Sequence, residues 1–179
     1  GGPAMISRTL LRDRLERSVL VFDGAVGTLL MAESGLAGRP PEQFNLVTPE
    51  TVEAVHARYV AAGAGLIQTN TFGATRVKLA AFGLAAETAK ICHAAAAAAR
   101  RAAGDNCLVA GCIGPTGALL EPFGDLTAAA AYAAFHEQAA ALAAGGVDLL
   151  NIETMTDVLE AKLALVAARD AAPGLPVMV

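Results

Sequence analysis

The sequence has no excess of positive charge. Its 13 Lys and Arg stand against 17 Asp and Glu in 179 residues, a formal net charge of −4. That balance gives no electrostatic footprint for nucleic acid or for an anionic membrane surface. Cysteine is scarce as well: three residues, an odd number, with no CxxC. A disulfide framework is therefore not expected, and a reduced, cytoplasmic setting is. No apolar run approaches the roughly 18 residues of a membrane span. The alanine tracts at 94–99 and 128–131 are short and bounded by polar groups. No basic segment followed by an apolar one opens the chain, so no secretory signal is expected. Gly1, Gly2, Pro3 and Ala4, ahead of Met5, read as a cloning remnant, which leaves one domain over 5–179.

What the chain has is apolar substance. Hydrophobic residues make up 55% and charged ones 17%, which excludes intrinsic disorder. About a quarter of the residues are Ala, and Arg outnumbers Lys by 10 to 3, a bias that points to a GC-rich bacterial genome. Short runs rich in Val, Ile and Leu fall at 19–22, 65–69, 107–113, 147–152 and 175–179. Such continuous runs suit parallel strands covered on both faces.

Helical segments with start and stop signals lie between them. Thr48-Pro49 opens a helix that closes at Gly63. Residues 86–103 form another, with Arg100 and Arg101 in the last turn before Gly104. Asp125 or Thr127 caps 128–144, which stops at Gly145-Gly146. Thr156 and Asp157 open 157–171, closed by Pro173-Gly174. Residues 6–17 read as a lead-in helix over one end or edge of the sheet. The alternation of strand and helix, about 40 residues per unit, argues for an α/β architecture with a parallel sheet.

Polar residues gather where strands end. Asp23-Gly24-Ala25-Val26-Gly27-Thr28 follows the first run, Asn70-Thr71-Phe72-Gly73 the second, Gly114-Pro115-Thr116-Gly117 the third and Glu153-Thr154 the fourth. The carboxyl ends of strands are where (β/α)₈ barrels and open α/β sheets place their active sites.

Each group has a functional and a structural reading. DGAVGT is neither GxxxxGK[ST] nor GxGxxG. Its two glycines allow a sharp turn whose N–H groups could hold a carboxylate or phosphate, or a tight turn capped by Asp23. Asp23 and Glu153 could together receive an ammonium group, act as acid and base, or simply cap turns. Asn70 and Thr71 suit orientation of a polar substrate or an Asx turn. GCIGPTG, with Pro115 removing a donor and no cation close behind, reads as a rigid lining turn. Cys92, Cys107 and Cys112 read as small buried hydrophobes. His56, His93 and His136 fall in helices, away from strand ends.

Taken in order, the blocks resemble the homocysteine S-methyltransferase family. They are DGAVGT, PEQFNLVTPETV with Glu42 and Asn45, VHARYVAAGAGLIQTNTFGATRVKL, GCIGPTGALLEPFGDL, FHEQAAALAAGGVDLLNIET and TDVLEAKLAL. The resemblance covers about residue 12 to Val179. It implies a (β/α)₈ barrel of the TIM type that transfers a methyl group to the sulfur of homocysteine, with zinc lowering the pKa of the substrate thiol. By the same resemblance Asp23 and Glu153 would hold the homocysteine amino group. The backbone around Gly24, Ala25, Gly27 and Thr28 would receive its carboxylate, and Asn70 and Thr71 would line the pocket.

The family's zinc thiolates lie in a later G-x-N-C motif and a Gly-Gly-Cys-Cys motif, neither of which occurs here. The expectation is therefore about five of eight βα units, set against the roughly 250 residues of a complete barrel, with no zinc site in this chain. Methylcobalamin on another module, S-methylmethionine, S-adenosylmethionine and betaine are the candidate methyl donors. Two other readings stand: a non-catalytic half-barrel that binds an amino acid or completes a barrel with a partner chain, and an acid–base enzyme built on Asp23 and Glu153. Exposed sheet edges would favour self-association.

Overall fold

The structure, a computed structural model, describes residues 6–34 and 38–179. The proposed remnant at 1–4 lies outside the described residues. In chain order the helices and strands are α1 (Arg8–Arg17), α2 (Val26–Ser34), α3 (Phe44–Val47), α4 (Pro49–Ala61), β1 (Leu66–Gln68), α5 (Arg76–Ala80), α6 (Thr88–Ala103), β2 (Leu108–Ile113), α7 (Ala128–Ala144), β3 (Leu149–Ile152), α8 (Val158–Ala171) and β4 (Val177–Met178). A short 3₁₀ turn at Pro41–Gln43 precedes α3, and another at Ala85–Glu87 precedes α6.

The strands form one parallel sheet in the order β1-β2-β3-β4. Consecutive strands are neighbours, as in successive units of a (β/α)₈ barrel, whereas a doubly wound sheet reverses order partway. The run at 19–22 departs from expectation. It contributes only a parallel bridge, Phe22 to Leu66, and hydrogen bonds from Gly65 and Leu66 to the Val21 carbonyl. It sits at the sheet edge, where Val19 is 90% exposed. With an ordered neighbour on one side only, it makes no continuous ladder.

The strands' two-residue periodicity sorts their side chains onto two faces. The outer face carries Ile67, Val109, Ile113, Leu150 and Ile152. They pack against Ile91, Ala96 and Ala99 of α6, Phe135 and Leu142 of α7, and Ala164, Ala167 and Ala168 of α8. Alanine at these helix positions lets the axes approach closely, which explains the alanine-rich stripes. The inner face is apolar toward the strands' amino ends, where Leu66, Ala110 and Leu149 are fully buried beneath Ile6 and Leu11. α1 therefore covers one end of the sheet, as a lead-in helix should.

Helix ends follow local chemistry. The Thr127 hydroxyl accepts from Ala130 N at 3.1 Å. Asp157 caps α8 by accepting from Leu159 N and Glu160 N. Thr48 occupies the N-cap of α4, yet its hydroxyl makes no capping bond and is buried without a partner. Arg100, expected as a helix-end cation, also reaches Asp148 at 2.8 Å. The same carboxylate oxygen accepts from Val109 N, tying α6 to the start of β3.

Candidate functional site

At the carboxyl end of the strands the inner face changes character. Two residues beyond the buried apolar layer come Gln68, Cys112 and Asn151, with Glu153 just past β3. Gln68, Cys112 and Glu153 line a cavity of about 450 Å³, together with Gly24, Ala25, Val26, Gly27, Thr28, Asn70 and residues of the rim. The sequence thus places the segment after the first run and the carboxyl ends of β1, β2 and β3 around one space.

Glu153 is the centre of this polar layer. Its backbone N–H donates to the Ile113 carbonyl at 3.0 Å, which fixes the residue beside β2. Cys112 Sγ donates to Glu153 Oε1 at 3.0 Å, and the amides of Gln68 and Asn151 lie 3.5 Å from Oε2. Asn151 also donates to Gln68 Oε1 at 2.7 Å.

Asp23 stands next to this group. One of its oxygens accepts from Gln68 N at 2.9 Å, and the other is buried without a partner. Burial pushes the Asp23 carboxyl up to about 6; the Gln68 N–H opposes this and the Glu153 charge reinforces it. A buried carboxylate with an orphaned oxygen beside a second carboxylate is an environment that a cation would relieve.

Among the sequence-derived candidates, Gly24, Ala25, Gly27, Thr28, Asn70 and Glu153 face the cavity. Asp23 lies behind its wall. Thr71 is fully buried; its hydroxyl donates to the Cys112 carbonyl at 2.7 Å, so it joins β1 to β2. Asn70 borders the cavity while its side chain is engaged. Its amide donates to the Pro41 carbonyl at 2.7 Å, and the Asn45 amide donates to the Asn70 carbonyl at 2.8 Å. This clasp, rather than an Asx turn, occupies the Asn70 side chain and brings the 41–47 segment over β1.

Glu42 completes the clasp by accepting from Gly73 N at 2.6 Å. A Cβ on Gly73 would lie 2.8 Å from that same Glu42 oxygen, so a side chain there would push the carboxylate out of the clasp. The GPTG turn packs elsewhere: Thr116 donates to Glu160 from both its backbone N–H and its hydroxyl, and the turn does not border the cavity.

Gln68, Glu42 and the rim residues Met31, Arg39, Phe72, Lys78 and Phe82 were not singled out from the sequence as site residues. Gln68 was legible in principle, as a polar residue inside an apolar strand run. Lys78 sits over the Phe72 ring at 4.9 Å from its centroid, through a fold of the chain that no local pattern signals.

Among the described residues no three His, Cys, Asp or Glu side chains converge as a metal site. Cys92 is packed in α6 with its thiol pushed up to about 12 by burial, and the Cys107 thiol points to the Ala64 carbonyl. Neither stands with Cys112, so the thiols present do not fit a tetrahedral zinc centre. Among the same residues no helix is long and apolar enough to cross a membrane.

Known proteins resemble this chain in sequence and in fold. The chain is 34% identical over 176 residues to methionine synthase of Mycobacterium tuberculosis, matching 91% of the chain and 15% of that protein. It is 32% identical to methionine synthase of Mycobacterium leprae, covering 14% of it. The metallated form of the homocysteine methyltransferase MmuM from Escherichia coli superposes with a TM-score of 0.78 at 27% identity, over 93% of the chain and 64% of that structure. The chain thus spans a small part of the curated relatives and under two thirds of the solved one. The homocysteine S-methyltransferase family model matches residues 20–179, and the chain belongs to that family.

Proposed function

We propose that this chain supplies the homocysteine-binding part of a methionine-synthase-type methyltransferase. One observation carries the reading. Glu153 and the Gly24–Thr28 segment face the same cavity at the carboxyl ends of the strands, with the orphaned Asp23 carboxyl adjoining. A zwitterionic amino acid fits that polarity. Its ammonium group would pair with Glu153 and draw the Asp23 proton off, and charge-assisted hydrogen bonds of this kind are the strong ones. Its carboxylate would meet the backbone where α2 begins, at the positive end of that helix. Asn70 and Gln68 border the space between.

In the complete reaction the homocysteine thiolate would attack the donor's methyl carbon. A new S–C bond forms, and the bond from methyl to donor breaks with its electron pair leaving on the donor. In this family zinc makes that thiolate available. The residues described here bind and orient the amino acid end; they offer no zinc site, and we assign thiol activation to the later cysteine motifs of the family. The likeness to methionine synthases favours methylcobalamin on another module over S-methylmethionine, S-adenosylmethionine or betaine as donor. A reduced, bacterial cytoplasm suits the three free cysteines and the mycobacterial relatives.

Calorimetric titration of the chain with L-homocysteine tests the reading. We expect one saturable site that methionine occupies as well, because recognition is at the amino acid end. Absence of saturable binding by the folded chain would overturn it. A second reading, self-association through the sheet edges, is favoured by the exposed Val19, Val21 and Val179. Size exclusion tests it: growth of the particle with concentration supports it, and a concentration-independent monomer removes it.

A further inference from the structure

Cys112 lies on the inner face of β2, 2% exposed, where a cysteine ordinarily serves as a small apolar filler. Its surroundings are unusually specific. Its backbone N–H donates to Thr69 Oγ1 at 3.0 Å. Its carbonyl accepts from Thr71 Oγ1 at 2.7 Å and from Gln138 Nε2 of α7 at 3.2 Å. The Glu153 main chain is fixed in turn by its bond to Ile113. Both partners are therefore set by backbone contacts before their side chains meet.

We infer that Cys112 is a positioning residue for Glu153, its S–H donating to one carboxylate oxygen and so fixing the direction in which the other faces the substrate's ammonium group. The inference rests on the homocysteine-binding reading above. The distances rank the contacts: the thiol lies 3.0 Å from Oε1, whereas the two amides lie 3.5 Å from Oε2, at the limit of hydrogen bonding. Removing the thiol would leave Glu153 with only its two long contacts. Burial, followed by the Glu153 charge, holds the Cys112 thiol well above its ordinary range. It therefore stays an S–H donor at neutral pH, whereas the thiolate is the reactive form.

The test combines binding with infrared spectroscopy on the whole chain. Cys112→Ala should weaken homocysteine binding roughly tenfold, the scale of one hydrogen bond to a charged group. Cys112→Ser, which keeps a donor at that position, should restore affinity to within about twofold on the same scale. The Cys112 S–H stretching band, assigned by its loss in Cys112→Ala, should move to higher frequency in Glu153→Gln as the carboxylate acceptor disappears. Unchanged binding by the alanine variant would overturn the inference, as would a serine variant no better than alanine or an S–H band indifferent to Glu153→Gln. If the unaltered folded chain binds no homocysteine, the binding reading falls by itself. The infrared measurement then still decides whether Cys112 holds Glu153.

Discussion

The two ends of the sheet's inner face differ by a single two-residue step along each strand. At the amino end Leu66, Ala110 and Leu149 share one apolar cluster, fully buried and covered by α1. At the carboxyl end Gln68, Cys112 and Asn151 occupy the same face and are joined to Glu153, and Gln68 and Cys112 open to a cavity. Backbone, ladder and twist are shared. One layer contributes stability through burial; the other contains a buried carboxylate with an unpaired oxygen, which opposes stability. The contrast indicates that this end is shaped for binding.

The largest expected effect breaks the apolar layer. Leu149→Ala removes a fully buried side chain and should cost about 3 kcal/mol, read in urea unfolding. Homocysteine affinity of the fraction that stays folded should be nearly unchanged. The reverse pattern is expected at Glu153→Gln: affinity should fall roughly a hundredfold, the scale of losing a buried charge partner, with little change in the unfolding midpoint.

Asp23→Asn sharpens the contrast further. The folded-state carboxyl titrates near 6, above its ordinary 3.8. The stability tied to its proton is complete below pH 3.8 and lost as pH rises through 6, so at neutral pH the charged group is a liability of about 2 kcal/mol. The asparagine variant should therefore be more stable than the parent at pH 7 by that order, while binding homocysteine more weakly. A variant that loses both stability and binding would contradict this account of Asp23.

The smallest effect concerns His56, buried in α4 with neither ring nitrogen partnered. Burial lowers it to about 4. Its neutral form is stable above pH 6.5, and the stability it allows is lost as pH falls from there toward 4. His56→Leu should flatten that acid loss by about 1 kcal/mol at pH 6 without altering affinity, measured by thermal unfolding at neutral pH and at pH 6.

Much of this was legible in the sequence. The parallel α/β order, the helix limits at 128–144, the family and the strand-end location of Glu153 followed from apolar runs, caps and motif order. The edge run at 19–22 was read as a full strand, because its apolar pattern says nothing about how many neighbours it has. Asp23, Asn70 and Thr71 were found as polar residues at strand ends. Which of them faces the cavity depends on contacts with residues 25 to 67 positions away, such as Pro41 and Gln138, and no local spacing encodes those. Cys112 was read as filler because its partner, Glu153, lies 41 residues along the chain.

The central claim is that Glu153 receives the substrate's ammonium group, with the Asp23 carboxyl ionising behind it. It is tested most directly by titrating homocysteine into the chain at pH 6 in two buffers of different ionisation enthalpy. The account predicts release of about half a proton per molecule bound, as the half-protonated Asp23 carboxyl ionises beside the incoming cation. Release should vanish in Asp23→Asn. Binding without proton release in the unaltered chain would contradict it.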